Sequence, residues 1–380
     1  MAALSEEQSL IRDQAKSWAG ERFPVRRLRE LRDSGEGNGH SPQAWSAMVE
    51  TGWTGILVPE DQGGSDLGYL TFGVVLEELG RQLTPSPLLA SALVGASALR
   101  LGGTEEQKAE WLPRIVDGSA ILILAVDEGP RHSPERTALA ARPDGDGFLL
   151  EGAKSFVPEG MIATTLVVAA RTSGVPGARD GISLFLVPAD AEGIRRSALV
   201  TADSRGYADI EFDAVRVGTD ALLGTLDGGF PLLDAVLDRA RAGLAAEMLG
   251  TAAQSFDMTL EYLKTRKQFG RVIGSFQALG HRAADLYSSM EMARSCAEAA
   301  LQAIDADEDA AKIAELSSLA QCKVGDFLHL MSREMIQIHG GIGMTDEFDA
   351  GFYLKRARAL EALYGNQAFH RERYARLLGY

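Results

Sequence analysis

The chain has 380 residues, enough for two or three domains, and its 46% hydrophobic and 24% charged content is typical of a soluble globular protein. Its 38 Lys and Arg residues against 53 Asp and Glu residues give a net charge of −15, which argues against a nucleic-acid partner. The N-terminal sequence lacks the apolar core of a signal peptide and no apolar run is long enough to span a membrane, so we expect a cytoplasmic protein. Cys296 and Cys322 are too few for a disulfide framework or a thiolate metal site, and we expect free thiols.

The first third of the chain has the pattern of helices. Apolar residues recur at intervals of three and four from Leu4 to Phe23, and Ser5 lies where an N-cap is expected. Thr104 and the acidic residues after it predict the start of a later helix, which we expect to end near Pro113 because proline lacks an amide donor. Further helices are predicted at residues 44–51, 70–79 and 88–101.

The middle of the chain has the pattern of a sheet. Short runs rich in Val, Ile, Leu and Phe alternate with clusters of Gly, Pro, Asp and Arg. No segment between these runs is long enough for the crossover helix of a parallel sheet, so the pattern favours an antiparallel sheet over a Rossmann fold. The predicted strands are residues 120–126, 148–151, 165–171, 181–187 and 207–217.

The last part of the chain, from Gly229 onward, has the spacing of long helices that pack as an antiparallel bundle. The sequence therefore predicts a mostly α-helical α+β protein with three domains. These are an N-terminal helical domain (residues 1–115), a middle antiparallel β-sheet domain (residues 116–225) and a C-terminal four-helix bundle (residues 226–380).

Two short stretches of the predicted bundle carry residues suited to a nucleotide. The first reads Arg-Lys-Gln-Phe-Gly at residues 266–270 and continues to Phe276 and Gln277, and the second reads Gln-Ile-His-Gly-Gly-Ile-Gly at residues 337–343. A guanidinium can hold a diphosphate through two hydrogen bonds, and glycines let the backbone pass close to a ligand. A glycine-rich helix end with surface charges would have the same pattern, and the glycine spacing matches neither the dinucleotide fingerprint nor the P-loop.

In this order and about 70 residues apart, the two stretches resemble those of the acyl-CoA dehydrogenase family, and the likeness extends over nearly the whole chain. The resemblance implies the acyl-CoA dehydrogenase fold, bound FAD and an acyl-CoA substrate that is dehydrogenated between its α and β carbons. It further implies an electron-transfer flavoprotein as acceptor and a role in fatty acid or steroid degradation. A dimer or tetramer is also implied, because family members complete each FAD site with a neighbouring subunit.

Matching this sequence to the family's motifs gives ten candidate FAD contacts. In the family, residues of the first stretch cross the subunit boundary to the partner's FAD, and residues of the second contact the adenosine half. The aromatic residue of the middle domain stands where the family usually has a tryptophan against the flavin. The candidates are Phe156, Arg266, Gln268, Phe269, Phe276, Gln277, Gln337, Gly340, Gly341 and Asn366.

The carboxylate that starts the family's chemistry is missing from both of its usual positions. That carboxylate removes the α-proton of the thioester while hydride passes from the β-carbon to flavin N5. Tyr364 occupies the commoner position here, and a phenol with a pKa of about 10 is a poor base at neutral pH. The other position, directly before Arg241 on the first bundle helix, is Ala240. The resemblance implies that Arg241 and Tyr364 lie at the substrate.

Glu247 is the nearest carboxylate further along that helix. Seven residues after Ala240, it keeps the same helix face but lies about 10 Å further along the axis. Glu247 is therefore a weak candidate for the base, and a carboxylate used in helix packing is the alternative.

The middle domain departs from the family in residues that face the flavin. Phe156, Val157 and Pro158 stand where Trp-Ile-Thr is usual. Phe156 can still cover a flavin face, whereas Pro158 has neither a hydroxyl nor an amide to donate to flavin N5.

Retained FAD anchors beside vacant base positions are similar to one chain of the two-subunit acyl-CoA dehydrogenases, such as the small subunit of pimeloyl-CoA dehydrogenase. The first hypothesis is therefore a subunit of a heteromeric dehydrogenase whose partner chain carries the base. The second is a homo-oligomeric flavoenzyme on the same fold, with a relocated base or with flavin monooxygenase activity. The third is a non-catalytic assembly subunit.

Overall fold

Two N-terminal helices begin where the sequence predicts their caps. A computed structural model describes residues 4–35 and 39–380 of the chain. Ser5 with Gln8 and Thr104 with Gln107 form capping boxes, in which each side chain bonds the backbone amide of the other residue. The N-terminal helices are α1 (Glu6–Arg22), α2 (Val25–Ser34), α3 (Pro42–Glu50), α4 (Gly68–Arg81), a π-helical segment (Leu88–Gly95), α5 (Ala96–Gly102) and α6 (Glu105–Val116).

Pro113 lies inside α6, so the predicted end of this helix is wrong. Asp117 N donates to Pro113 O at 3.0 Å and Gly118 N donates to Ile115 O at 3.2 Å, which closes one further turn. Ile115 is fully buried. Its packing outweighs the single amide bond that the proline removes from the last turn.

The middle of the chain forms one mixed sheet. Its strands are β1 (Leu122–Ala125), β2 (Ala140–Asp144), β3 (Gly147–Pro158), β4 (Thr165–Arg171), β5 (Ile182–Pro188), β6 (Ile194–Leu199), β7 (Tyr207–Gly218) and β8 (Leu222–Leu223). Their order is β6-β7-β3-β2-β4-β5-β8, with β1 beside β4. Neighbours are antiparallel, except that β1 pairs with β4 in parallel and β2 meets β4 through one parallel residue pair.

The last part of the chain is helical apart from a short hairpin. Its elements are α7 (Phe230–Thr265), β9 (Lys267–Gln268), β10 (Arg271–Val272), α8 (Gln277–Asp305), α9 (Ala310–His339), α10 (Ala350–Leu360) and α11 (Gln367–Leu377). The fold is therefore mostly helical, with a sheet in the middle of the chain and helices before and after it, as the sequence predicts.

Packing divides the chain into two units. The helical unit contains the chain up to Arg29, Tyr69–Thr84 and Arg241–Tyr380, and the sheet-containing unit contains Glu30–Gly68 and Pro85–Ala240. In the helical unit α4 and α7 approach through glycine, because a Cβ atom on Gly250 would lie 1.9 Å from Glu77 O. Over residues 4–35 and 39–380, no helix is both long and apolar enough to cross a membrane.

The two cysteines are free thiols, as predicted. Cys322 is buried on α9, and its burial raises the pKa of this thiol to about 11. A thiol that stays protonated at neutral pH is a poor nucleophile, so Cys322 has a packing role.

A side chain far away in sequence caps the N-terminus of α4. Asp305, the last residue of α8, accepts hydrogen bonds from Tyr69 N at 2.5 Å and from Leu70 N at 2.9 Å. The first amides of a helix have no partner within it, and a carboxylate there also interacts favourably with the helix dipole. Asp305 therefore fixes the start of α4 to the end of α8.

Replacing Asp305 with Ala removes both bonds and is expected to lower the free energy of unfolding by about 1–2 kcal/mol. Asp305→Asn keeps one oxygen acceptor and is expected to lose less. Urea unfolding followed by circular dichroism measures both changes. An unfolding midpoint of Asp305→Ala equal to that of the wild type would contradict this role.

Candidate functional site

Arg266 presents its guanidinium at the surface of the helical unit. Its amide bonds Tyr262 O at 2.9 Å in the last turn of α7, and its carbonyl accepts from Ile273 N at 2.8 Å. These backbone bonds hold the residue, whereas its side chain is exposed and makes no ion pair with any residue of the described ranges. The guanidinium is therefore available to an anionic ligand.

The hairpin that follows exposes an aromatic ring at its tip. Phe269 and Gly270 link β9 to β10, and both have positive φ angles of 54° and 78°, as a two-residue hairpin turn requires. Phe269 is 91% exposed, although positive φ is unfavourable for a bulky residue. Its ring meets Phe276 edge-on at 6.1 Å, and the Arg271 guanidinium lies 4.1 Å from the Phe276 ring centre. An exposed aromatic ring on a strained turn favours contact with another molecule.

The second stretch forms an open glycine turn after α9. Gly340 has a φ of 62°, and a Cβ atom on Gly340 or Gly341 would meet nothing within 4 Å. Gly343 is buried instead, and a Cβ atom added to it would lie 3.1 Å from Ile336 O. Gln337, one turn earlier, is exposed. The outer side of this turn therefore offers bare backbone and an amide side chain to a ligand.

The donors of these two stretches fit the nucleotide half of FAD. An unpaired guanidinium suits the diphosphate, and the side chains of Gln268, Gln277 and Gln337 are all exposed donors and acceptors for a ribose or a base edge. The open face at Gly340 and Gly341 allows close approach of a flat group. The eight candidate FAD contacts of these two stretches all belong to the helical unit, which the sequence alone does not establish.

The predicted flavin-facing residue of the sheet unit is also accessible. Phe156 lies at an irregularity between β3 and β7, has a φ of 55° and is 37% exposed. Its ring stacks on Tyr207 at 4.3 Å, and its amide donates to Asp209 Oδ1 at 3.0 Å. Pro158, two residues later, pairs with Tyr207 in the sheet. The Phe156 ring is thus partly exposed and is supported by Tyr207 on one side, so its other face can cover a flavin.

A buried lysine forms hydrogen bonds to the loop after β1. Lys154 Nζ lies 2.6 Å from Glu128 Oε1 and 2.9 Å from Val126 O, and the side chain is completely buried. Burial lowers the pKa of Lys154, and the charge of Glu128 opposes this effect. Glu128 also accepts from the amides of Ala138 and Leu139, so the loop between β1 and β2 has a fixed shape.

Tyr364, which the sequence predicts at the usual position of the base, is buried in a turn held by hydrogen bonds. Its φ is 56°, and its carbonyl accepts from Arg241 Nε at 3.3 Å and from His370 Nε2 at 3.2 Å. Arg241 is fully buried, with its guanidinium carbon 5.5 Å from the Phe369 ring centre. Arg241 therefore holds the backbone of this turn. The contacts of Arg241 and Tyr364 with a substrate stay predictions.

Glu247 is engaged in an ion pair inside the helical unit. Its Oε1 lies 2.6 Å from Arg356 Nη2, and the two side chains are only 9% and 5% exposed. A base must reach the proton that it removes, and this carboxylate is bound to a guanidinium of α10 instead. The pairing favours the packing interpretation of Glu247 over a role as the base.

Two further residues acquire roles that the sequence did not indicate. Asn366 caps α11, since its Oδ1 accepts from Phe369 N at 3.0 Å, so its predicted contact with FAD would have to use the amide nitrogen. His370, which holds Tyr364 O, lies only six residues further along the chain. A helix N-cap followed by a histidine was the available signal, but the left-handed turn at Tyr364 and Gly365 directly before the cap was not visible in the sequence.

Comparisons with known proteins agree over the whole chain. Family models match it in sequence order: the acyl-CoA dehydrogenase N-terminal domain at residues 5–119, the middle domain at 131–215 and the C-terminal domain at 227–379. The chain is 30% identical over 382 residues to the probable acyl-CoA dehydrogenase YngJ of Bacillus subtilis, covering 99% of this chain and 98% of that protein.

Two other relatives are parts of complexes. The chain is 29% identical over 351 residues to the caffeyl-CoA reductase-Etf complex subunit CarC of Acetobacterium woodii, covering 91% of each protein. It is also similar to a chain of the ChsE4-ChsE5 complex from Mycobacterium tuberculosis, with 26% identity, a TM-score of 0.88 and coverage of 99% and 98%.

Proposed function

This chain belongs to the acyl-CoA dehydrogenase family, and from that premise we propose that it is one subunit of a heteromeric acyl-CoA dehydrogenase whose partner chain carries the catalytic carboxylate. Enzymes of this family are FAD-dependent oxidoreductases. The observation that carries the proposal is that Tyr364, predicted to occupy the usual base position, is a buried phenol, whereas the Arg266 side chain is exposed and makes no ion pair within the described ranges.

In this proposal the chain's own residues bind FAD and orient it. Arg266 neutralises the diphosphate, the turn at Gly340 and Gly341 receives the adenosine half, and Phe269 inserts into the neighbouring subunit. Bound FAD would supply the acceptor for the hydride that leaves the β-carbon of the acyl-CoA. The α-proton passes to a carboxylate of the partner chain, and the substrate gains a double bond between its α and β carbons. An electron-transfer flavoprotein then takes the electrons.

Two chemical features of the chain support a base from outside it. Tyr364 offers a phenol, which is protonated at neutral pH in its ordinary state. The carboxylate of Glu247 is paired with Arg356 inside the helical unit, and moving it toward a substrate would break this buried ion pair. The complexes among the relatives are consistent with an obligate partner. A hetero-dimer or hetero-tetramer is the assembly that we propose.

Co-expression with base-carrying acyl-CoA dehydrogenase chains tests this function. After anaerobic mixing with acyl-CoA, we expect flavin reduction by the paired assembly only. Tyr364→Phe in this chain should leave the rate within about twofold, because general-base catalysis contributes about 10²–10⁴-fold and the phenol does not supply it. A hundredfold slower Tyr364→Phe assembly would show instead that the phenol takes part in the chemistry.

A further inference from the structure

A stack of three rings joins the two nucleotide stretches inside the helical unit. The His339 ring lies 4.3 Å from that of Tyr262 and 4.7 Å from that of Phe348, with interplanar angles of 30° and 37°. Tyr262 lies one turn of α7 before Arg266, and its hydroxyl donates to His339 O at 3.4 Å. Phe348 belongs to the segment between the glycine turn and α10. The stack thus connects the end of α7, the end of α9 and the start of α10.

His339 is a flat and uncharged spacer in this stack. It is the last residue of α9, directly before Gly340, and it is 3% exposed. Its Nδ1 bonds Met335 O at 2.7 Å, so this nitrogen carries the proton, and its buried Nε2 has no hydrogen-bond partner in the described ranges. Burial lowers the pKa of His339, which keeps the ring neutral at pH 7. The His339 ring therefore contributes through the contacts of its faces with the rings of Tyr262 and Phe348.

A second contact fixes the segment beyond the turn. Arg29 of α2 bonds Asp346 Oδ2 at 3.0 Å and Asp349 Oδ1 at 2.8 Å, and its guanidinium carbon lies 4.7 Å from the Phe352 ring centre. Asp349 directly precedes α10. The segment that carries Phe348 is thus held on both sides, so the glycine turn has little freedom to shift relative to α7.

We infer that His339 is a positioning residue for FAD, because its ring sets the distance between the Arg266 stretch and the turn at Gly340 and Gly341. Both stretches are assigned above to one nucleotide half, and a rigid dinucleotide half gains full binding only from groups at matching positions. This inference rests on the proposed function, in which these stretches hold FAD. His339 itself does not touch the reacting atoms.

Three variants separate stacking from general stability. His339→Ala removes both ring contacts, His339→Phe keeps a flat ring of similar size, and Asp305→Ala is the control. Asp305 lies at the far end of α8, about 40 Å along the helix from Gln277, and it should cost stability without altering the stack. The measurements are the FAD dissociation constant of the purified assembly and the hydrogen exchange of residues 340–349 in protein freed of FAD.

For His339→Ala we expect about tenfold weaker FAD binding and at least tenfold faster exchange at 340–349, since two aromatic contacts are lost. His339→Phe should stay within about twofold of the wild type in both measurements, and Asp305→Ala should leave FAD binding within about twofold. FAD binding unchanged in His339→Ala, or lost equally in His339→Phe, would overturn the inference. If the wild type binds no FAD with or without its partner, the proposed function fails. The exchange data, taken without FAD, then show separately whether the stack holds the turn.

Discussion

Arg266→Gln is expected to weaken FAD binding by about a hundredfold. The guanidinium is exposed and makes no ion pair in the described part of the chain, so nothing inside the protein competes for it. Two charge-assisted hydrogen bonds to a diphosphate contribute about 1.5 kcal/mol each, or about 3 kcal/mol together. At 1.4 kcal/mol for each tenfold change in affinity, their loss corresponds to about two orders of magnitude.

Lys264→Gln is the matched control for this variant. Lys264 is also exposed, lies two residues earlier in the last turn of α7 and loses the same charge on substitution. We expect Lys264→Gln to change the FAD affinity by less than threefold, because salt screens a charge that lies near the site without bonding the ligand. Arg266→Lys should fall between wild type and Arg266→Gln, since a lysine supplies charge without the forked geometry. Titration of FAD-free protein with FAD measures all three. Equal affinities for Arg266→Gln and Lys264→Gln would remove Arg266 from the site.

Arg356→Met is expected to lower the free energy of unfolding by about 3–5 kcal/mol, because it leaves the carboxylate of Glu247 buried without its cation. The two side chains are almost fully enclosed and their charged atoms lie 2.6 Å apart, so water cannot replace the lost partner. Urea unfolding monitored by tryptophan fluorescence gives the difference.

The double variant Glu247→Gln with Arg356→Met separates packing from catalysis. It removes both charges, and we expect it to recover most of the stability lost in Arg356→Met. If Glu247 only packs, the paired assembly that contains the double variant should reduce its flavin with acyl-CoA at a rate within about threefold of wild type. A well-folded double variant with activity reduced by a thousandfold would identify Glu247 as the base after all.

Elements with strong local signals could be predicted from the sequence. The Ser5 and Thr104 caps start their helices as expected, and β4 runs from Thr165 to Arg171 as predicted because every residue in it is apolar or at its end. Strand β6 was missed because it contains two arginines and has no fully buried residue, and it is held in the sheet by its pairing with β7. The helix over Val25–Ser34 was missed for the same reason, since few of its residues are buried.

The sequence motifs name the candidate site residues, which stay predictions, and only the structure gives their contacts. The motifs located Arg266 and the glycine turn, which are set by short stretches of sequence. The ion pair between Glu247 and Arg356 joins residues 109 positions apart, and no local pattern indicates such a pair. The same holds for the stack through His339, whose ring partners Tyr262 and Phe348 come from other elements. Tertiary contacts of this kind decide which carboxylate is free and which is bound.

The FAD content and acyl-CoA response of the purified chain, alone and paired, test the central claim most directly. We predict no flavin reduction by acyl-CoA in the chain alone, and about one FAD for every two chains in a paired assembly that is reduced by the same substrate. One FAD per chain, with complete and rapid reduction by acyl-CoA in the absence of any partner, would contradict it.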